Sequence, residues 1–239
     1  MKRVVFKDQA GLYDHAANLF TQLADRSIRR SGRFVVLLSG GKTPLPLYQR
    51  LTQEPWRGQV DWEKVIVGWS DERCVSPNHV ASNSRAAQES LLSHVAIPND
   101  HIFRIDGGND PTEAAQAYEG RLRNILGQDF EPDLTLLGLG ADGHTASLFP
   151  ADPALRERER WFIPVNIPEL PQPWRITATL PLLNKSRKVV FLVTGQEKAY
   201  ALARIRNGMM LPAALVCPQN GTTIWLVDLA TASQSEKRA

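Results

Sequence analysis

The chain has 239 residues, of which 43% are hydrophobic and 22% are charged. These fractions are close to the globular average, so the sequence predicts a sizeable core and excludes wholesale disorder. The length suits one α/β domain over residues 1–239, because such chains often reach this size as a single unit. The net charge of +3 is mild, and the basic residues are spread along the chain. This charge is compatible with an anionic small substrate and argues against a nucleic-acid partner.

The two cysteines and the absence of long apolar stretches bear on the compartment. Cys74 and Cys217 are far apart and form neither a disulfide framework nor a CxxC pair, a usage typical of a reducing compartment. The apolar stretch near the N-terminus is shorter than a signal peptide needs. No window approaches the roughly 18 apolar residues of a membrane-spanning helix. A cytoplasmic location without a membrane partner is therefore predicted.

Short apolar runs alternate along the chain with segments of helical periodicity. Continuous apolar runs are typical of strands that are covered on both faces, as in parallel sheets. Helical segments between such runs indicate βαβ units and a mostly parallel sheet. The strands are predicted at residues 4–6, 34–38, 65–69, 134–138, 189–193 and 223–227.

Capping residues mark several helix boundaries. Thr43 and Pro44 are predicted as the N-cap and first residue of the helix after the second strand. The segment Asp110–Glu113 combines a capping aspartate, a first-turn proline and a capping-box glutamate, and it predicts a helix that ends near Gly127. Other helices are predicted over residues 9–30, after Ser82 or Asn83, and over 196–206.

Two segments are predicted to lack regular structure. Residues 151–174 are rich in proline and charge, which predicts a long irregular connection and a candidate lid rather than a domain boundary. Residues 230–239 are small and polar and are predicted to form a frayed tail.

Four predicted strands lead directly into loops with residues that suit an anionic ligand. In open parallel sheets such loops meet at the carboxyl edge, where ligands bind. The first loop has paired glycines, which let backbone N–H groups approach an anion before a helix N-terminus. A tight strand-to-helix turn explains the same residues, and Val36 rules out Walker A spacing. The loop consists of Ser39, Gly40, Gly41, Lys42 and Thr43.

The glycine-rich loop after residues 134–138 contains the sharpest catalytic candidate. His144 stands in the sequence Gly-Leu-Gly-Ala-Asp-Gly-His, and imidazole titrates near neutral pH. Asp142, two residues earlier, is a candidate to orient the imidazole. A histidine on a loop is more often an ordinary surface residue, but the surrounding glycines favour the functional interpretation.

Further charged residues lie in or near other loops that follow predicted strands. Asp71, Glu72 and Arg73 follow the strand at 65–69, where a merely solvated cluster is the ordinary alternative. Lys198 is predicted in the first turn of a helix, where its charge opposes the helix dipole. That position suggests a phosphate contact, although a solvated lysine is common. Arg175 is a weaker candidate for the same contact.

Several other chemistries lack their sequence signatures. No HExxH, paired-histidine or EF-hand spacing is present, so no metal is predicted. No GxSxG nucleophile elbow is present either. The glycines at 138, 140 and 143 match GxGxxG, but Asp142 and His144 would stand where a pyrophosphate packs. Nicotinamide binding is therefore a weak alternative, and no cofactor is predicted.

In this order, the motifs resemble those of the 6-phosphogluconolactonases, a branch of the glucosamine-6-phosphate deaminase and isomerase superfamily. The resemblance covers nearly the whole chain. After His144 the sequence Thr-Ala-Ser-Leu-Phe-Pro is similar to lactonases, whereas deaminases typically continue Ile-Ala-Phe-Asn-Glu-Pro. Ala81 departs from the aspartate that lactonases usually carry, which affects a local helix-start contact. The motifs are residues 38–44, 69–75 followed by 82–83, 138–150, 175–177 and 195–198.

The resemblance implies a single-domain, Rossmann-like, mostly parallel α/β sheet flanked by helices on both faces. It also implies hydrolysis of 6-phosphogluconolactone without a cofactor. His144 would be the general base, with Asp71 and Arg73 as its companions, and either Asp142 or Asp71 would orient its imidazole. The 6-phosphate would be held by the loop of residues 39–43, Arg175 and Lys198.

The expected partner is this small-molecule substrate, and the chain is expected to act as a monomer or small homo-oligomer. One alternative is a deaminase or isomerase on the same fold. Another is a non-catalytic phosphosugar-binding protein, which would be expected to lose His144, Asp71 or Arg73.

Overall fold

The computed structural model describes the backbone of residues 2–237 and the side chains of residues 2–233. Nine strands are present in this part of the chain. They are β1 (Lys2–Phe6), β2 (Phe34–Leu38), β3 (Val65–Trp69), β4 (Asp71–Arg73), β5 (Leu134–Gly138), β6 (Phe162–Asn166), β7 (Trp174–Ala178), β8 (Lys188–Val193) and β9 (Thr222–Asp228).

Eight α-helices accompany the strands in the described chain, together with short 3-10 turns such as Gln196–Lys198. The helices are α1 (Gln9–Ser31), α2 (Leu45–Leu51), α3 (Asn83–Ser90), α4 (Pro111–Leu126), α5 (Leu180–Leu183), α6 (Ala199–Arg206), α7 (Pro212–Leu215) and α8 (Leu229–Lys237).

Six parallel strands form the main sheet in the order β1–β9–β8–β5–β2–β3, and β4–β7–β6 form a small antiparallel sheet. The predicted fold class, a Rossmann-like, mostly parallel α/β sheet flanked by helices, is confirmed. After β2 the chain adds β3 on one side and β5 on the other. This reversal makes the β2–β5 boundary a switch point, where the loops diverge and leave a crevice for a ligand.

The central strands are apolar because both sheet faces are covered. All five residues of β2 and all five of β3 are buried, although successive side chains point to opposite faces. Phe20 of α1 packs edge-on against Phe34, with ring centroids 5.3 Å apart. On the other half of the sheet, Phe191 and Trp225 stack at 3.9 Å. This packing fixes the strand ends that carry the loops.

The predicted caps are largely confirmed. Asp110 Oδ1 accepts hydrogen bonds from the N–H groups of Thr112 and Glu113, at 2.9 and 3.1 Å, and α4 ends at Gly127. The prediction at Thr43 and Pro44 is wrong by one residue, because a turn precedes α2 and leaves Pro44 at the N-cap without a side-chain cap. Ser82 rather than Asn83 caps α3.

The two segments predicted as irregular contain regular structure. Within residues 151–174, Pro153–Arg156 form a 3-10 turn. Phe162–Asn166 form strand β6 because they pair with β7, and this pairing is not visible in the local sequence pattern. The prediction of a frayed tail is wrong for residues 230–237, because they belong to α8. Asp228 begins this helix by accepting a hydrogen bond from the Thr231 N–H at 2.8 Å. Residues 238–239 lie outside the described chain.

Across residues 2–237, none of the helices combines the length and apolar character needed to span a bilayer.

Candidate active site

A cavity of about 300 Å³ opens at the carboxyl edge of β2, β5 and β8. Ten of the eleven site residues predicted from sequence line it, although they come from five separate parts of the chain. Asp142 is the exception, because it contacts His144 but does not itself line the cavity. The ten residues are Ser39, Gly40, Gly41, Lys42, Thr43, Asp71, Arg73, His144, Arg175 and Lys198.

The imidazole of His144 is oriented by Asp142. Nδ1 of His144 lies 2.6 Å from Oδ1 of Asp142, and the same oxygen accepts the backbone N–H of His144 at 3.0 Å. No other described protein group bonds to the imidazole, so Nε2 is left for a ligand or water. The ring packs on Phe149, with centroids 4.4 Å apart. An imidazole with a carboxylate on one ring nitrogen, and with its other nitrogen unbonded to the described protein groups, is suited to general-base catalysis.

The loop bends tightly enough that glycine is required at two places. A Cβ on Gly140 would lie 2.1 Å from Nδ1 of His144 and 2.6 Å from the Asp142 carboxylate. Gly143 has a φ of +95°, and a Cβ there would lie 2.5 Å from the side chain of Leu211. The Gly140 N–H donates to the His144 carbonyl at 2.8 Å, which closes the loop. The glycine frame therefore places the His144–Asp142 pair.

Gly140→Ala is expected to lower kcat by at least about tenfold, because its methyl group would displace the imidazole from its position. Steady-state kinetics and the free energy of unfolding should be measured together. Gly120→Ala is the matched control, since a Cβ at this position in α4 meets no atom within 4 Å. The control should keep its turnover. Unchanged turnover in Gly140→Ala would mean that the position of the ring does not matter.

The bond to His144 also alters the acidity of Asp142. Partial burial would raise its pKa, but the hydrogen bonds from the side chain and backbone of His144 outweigh burial and lower the pKa from 3.8 to about 2. A carboxyl whose pKa is lower in the folded than in the unfolded state stabilises the fold above its unfolded pKa. That contribution is lost as the pH falls from about 4 to about 2.

Asp142→Asn should therefore be less stable than the unsubstituted protein near neutral pH, and the difference should shrink as the pH falls through about 4 toward 2. Urea unfolding at several pH values measures it. The side chain of Asp142 is 47% exposed, so added salt should weaken the effect. A difference that stays constant over this range would show that the carboxylate does not stabilise the loop through its charge.

Asp71 is a buried carboxylate that neighbouring elements hold in place. Its Oδ2 accepts the hydroxyl of Ser147 at 2.7 Å, and its Oδ1 accepts the amide of Asn83 at 3.3 Å. Only 5% of Asp71 is exposed. Ser147 comes from the His144 loop, and therefore Asp71 links that loop to the start of α3. Neither Asn83 nor Ser147 was among the predicted site residues, although both lie within the recognised motifs.

Two arginines stand side by side across the small sheet. Arg73 of β4 is directly opposite Arg175 of β7. Arg73 Nη1 donates to the Ala81 carbonyl at 2.8 Å, while its buried Nε has no partner among the described residues. Burial lowers the pKa of Arg175, and the nearby charge of Arg73 lowers it further. Like charges opposite one another are unfavourable, so this pair is suited to an anion.

Lys198 and the glycine loop complete the positive end of the cavity. Lys198 is mostly covered, and its Nζ lies 3.9 Å from Glu197. The turn that carries it is fixed by α8, because Thr231 Oγ1 donates to the Gly195 carbonyl at 2.9 Å. Across the cavity, the Tyr13 hydroxyl donates to the Thr43 carbonyl at 2.8 Å. Both loops are thus held by helices outside the cavity.

The fold and cavity together define an α/β protein in which a cationic pocket faces a carboxylate-oriented imidazole. The family model described as Glucosamine-6-phosphate isomerases/6-phosphogluconolactonase matches residues 7–225. The chain therefore belongs to this family, and the predicted family resemblance is confirmed.

Individual relatives agree with the family match. The chain is 40% identical over 226 residues to a 6-phosphogluconolactonase of Synechocystis sp., a match that covers 91% of each protein. It is 36% identical over 239 residues to a 6-phosphogluconolactonase of Nostoc sp., with 96% of each protein covered. The solved 6-phosphogluconolactonase of Thermotoga maritima superposes with a TM-score of 0.85 at 29% identity, covering 95% of this chain and 99% of that one.

Proposed function

We propose that this chain hydrolyses 6-phospho-D-glucono-1,5-lactone to 6-phospho-D-gluconate, the second step of the oxidative pentose phosphate pathway. The names of its relatives support this substrate. The observation that carries the proposal is the placement of the His144 imidazole and the Arg73–Arg175 pair in one cavity. Hydrolysis of a lactone that carries a phosphate needs a base for the attacking water and a cationic pocket for the phosphate, and the cavity offers both.

In the proposed reaction, His144 acts as the general base. A δ-lactone is an activated ester, so hydrolysis needs a positioned water and no covalent nucleophile. Nε2 of His144 takes a proton from water as the water oxygen bonds to C1. The tetrahedral intermediate then collapses, the bond from C1 to the ring oxygen breaks, and the imidazolium returns the proton to that oxygen. Asp142 stabilises the imidazolium through Nδ1.

The charged residues have separate proposed tasks. Arg175, Lys198 and the loop of residues 39–43 bind the 6-phosphate, and this binding holds C1 beside the water. Arg73, which lines the same cavity, offers its guanidinium to the negative charge that develops on the carbonyl oxygen. Asp71, fixed by Ser147 and Asn83, keeps the His144 loop in register with the arginines.

A coupled assay tests the proposed function. The lactone is generated in place by oxidation of glucose 6-phosphate, and release of acid is followed with and without the protein. Acceleration that saturates with substrate is the expected result. Binding without turnover would favour a phosphosugar-binding protein, and release of ammonia from glucosamine 6-phosphate would favour a deaminase. Either of these results in the absence of lactone hydrolysis would contradict the proposal.

We further propose that the chain works in the cytoplasm, without a cofactor, as a monomer or small homo-oligomer. The two cysteines support a reducing compartment, since both are free in the structure. The proposed chemistry itself requires only water and protein side chains.

A further inference from the structure

Glu72 is a buried carboxylate that the reaction described above does not use. It lies in β4 between Asp71 and Arg73, and only 2% of it is exposed. Because side chains alternate along a strand, Glu72 points away from the cavity that its two neighbours line. In the described chain it has no ion-pair partner, and its carboxylate is satisfied by hydrogen bonds alone.

Four donors meet this carboxylate, and three of them are backbone N–H groups. Oε1 accepts from the N–H of Asn83 at 2.7 Å and from its own neighbour Arg73 at 2.8 Å. Oε2 accepts from the N–H of Ser84 at 2.7 Å and from the hydroxyl of Ser82 at 3.1 Å. Glu72 therefore fastens the first turn of α3 to β4, with both oxygens used twice.

The segment that Glu72 fastens in turn holds three parts of the cavity. The Ala81 carbonyl accepts from the guanidinium of Arg73 at 2.8 Å. The side chain of Asn83 donates to the carbonyl of Asp71 at 2.9 Å and to its carboxylate at 3.3 Å. The same side chain packs so tightly on the anion loop that a Cβ on Gly40 would lie 2.0 Å from it.

We infer that Glu72 is a positioning residue for lactone hydrolysis, acting through the start of α3 on Asp71, Arg73 and the Gly40 loop. This inference rests on the proposed function. Without the anchor, Asn83 and the Ala81 carbonyl would shift together, and the groups facing the phosphate and the reacting carbon would lose their relative placement. Misplacement by about 1 Å is enough to cost up to about 100-fold in rate.

The key variant is Glu72→Gln, which keeps the size of the side chain. An amide offers one acceptor oxygen in place of two, so its NH₂ group must face donors that the carboxylate accepted. Glu119→Gln is the matched control. Glu119 is also buried and accepts the N–H groups of Trp161 and Phe162, at 2.9 and 3.0 Å, but it does not line the cavity.

The measurements are kcat and KM for the phosphorylated lactone, the affinity for 6-phosphogluconate by calorimetry, and the free energy of unfolding. Both variants should lose stability. Glu72→Gln should also lower kcat/KM by roughly 10–100-fold and weaken 6-phosphogluconate binding, whereas Glu119→Gln should keep both within about twofold. Should Glu72→Gln fail to fold, Glu72→Asp carries the same expectation, because its shorter side chain cannot reach α3 and β4 together.

The inference is overturned if the Glu72 variant loses stability as the Glu119 variant does while both kcat/KM and 6-phosphogluconate affinity stay unchanged. An unsubstituted protein that does not hydrolyse the lactone would count against the proposed function instead. In that case the calorimetric comparison still decides whether Glu72 positions the cavity.

Discussion

Replacing His144 by alanine is expected to lower kcat by roughly 10²–10⁴-fold while KM changes little. The substitution removes the group that takes the proton from water, but it leaves the cationic end of the cavity intact. The substrate should therefore still bind, but water should attack it slowly because no base takes the proton. Steady-state kinetics in the coupled assay, corrected for spontaneous hydrolysis, measure both constants.

The control for this variant is His94→Ala, which removes an exposed histidine that bonds to the Glu89 carbonyl outside the cavity. It should match the unsubstituted protein in both constants. Turnover of His144→Ala close to that of the unsubstituted protein would refute the role of His144 as base. A large rise in KM with kcat preserved would make the residue a binding group instead.

Arg175→Ala and Lys198→Ala are expected to raise KM for the phosphorylated lactone with a smaller effect on kcat. A hydrogen bond to a charged group contributes about 1.5–3 kcal/mol, which corresponds to a rise of roughly 10–100-fold. The loss of kcat/KM should be smaller for the lactone without phosphate, because that substrate offers no anion for either side chain to bind. Measuring kcat/KM for both lactones in each variant separates phosphate binding from a general disturbance of the site.

Arg29→Ala is the matched control, since Arg29 is exposed on α1 and pairs with Asp25. It should leave KM for both lactones unchanged. An equal loss on the phosphorylated and unphosphorylated substrates in Arg175→Ala would argue against phosphate contact. The same result in Lys198→Ala would indicate that the turn after β8 affects the site only through its shape.

The strands of the main sheet could be predicted because each is marked by an apolar run within its own few residues. Residues 34–38, 65–69 and 134–138 were each predicted with the observed bounds, since buried parallel strands need continuous apolar runs. The placement of the site followed from this pattern. Loops after adjacent parallel strands must meet at one edge, so residues as far apart as 39 and 198 could be assigned to one cavity.

The small antiparallel sheet could not be predicted, because its pairing is set by tertiary contacts. β4 is a three-residue strand of charged side chains, and β6 contains Pro164, which removes one backbone donor. Neither has a recognisable strand pattern. Helix α8 is likewise polar and small in composition, but its capping residue Asp228 was a readable signal that the prediction of a frayed tail overlooked.

Within the site, residue types could be predicted but their partners could not. The Asp142–His144 bond spans two residues and was one of the proposed pairings. The bond from Ser147 to Asp71 spans 76 residues and depends on how the two sheets pack. The sequence also could not show that Glu72 turns away from the cavity to hold α3, because that requires knowing that residues 71–73 form a strand.

The most direct test of the central claim is a crystal structure of this chain with 6-phosphogluconate bound. We expect the phosphate on Arg175, Lys198 and the loop of residues 39–43. We also expect C1 to lie within the span of one bridging water, at most about 6 Å, from Nε2 of His144. A product whose phosphate occupies this pocket while C1 lies farther from the imidazole would contradict general-base catalysis by His144.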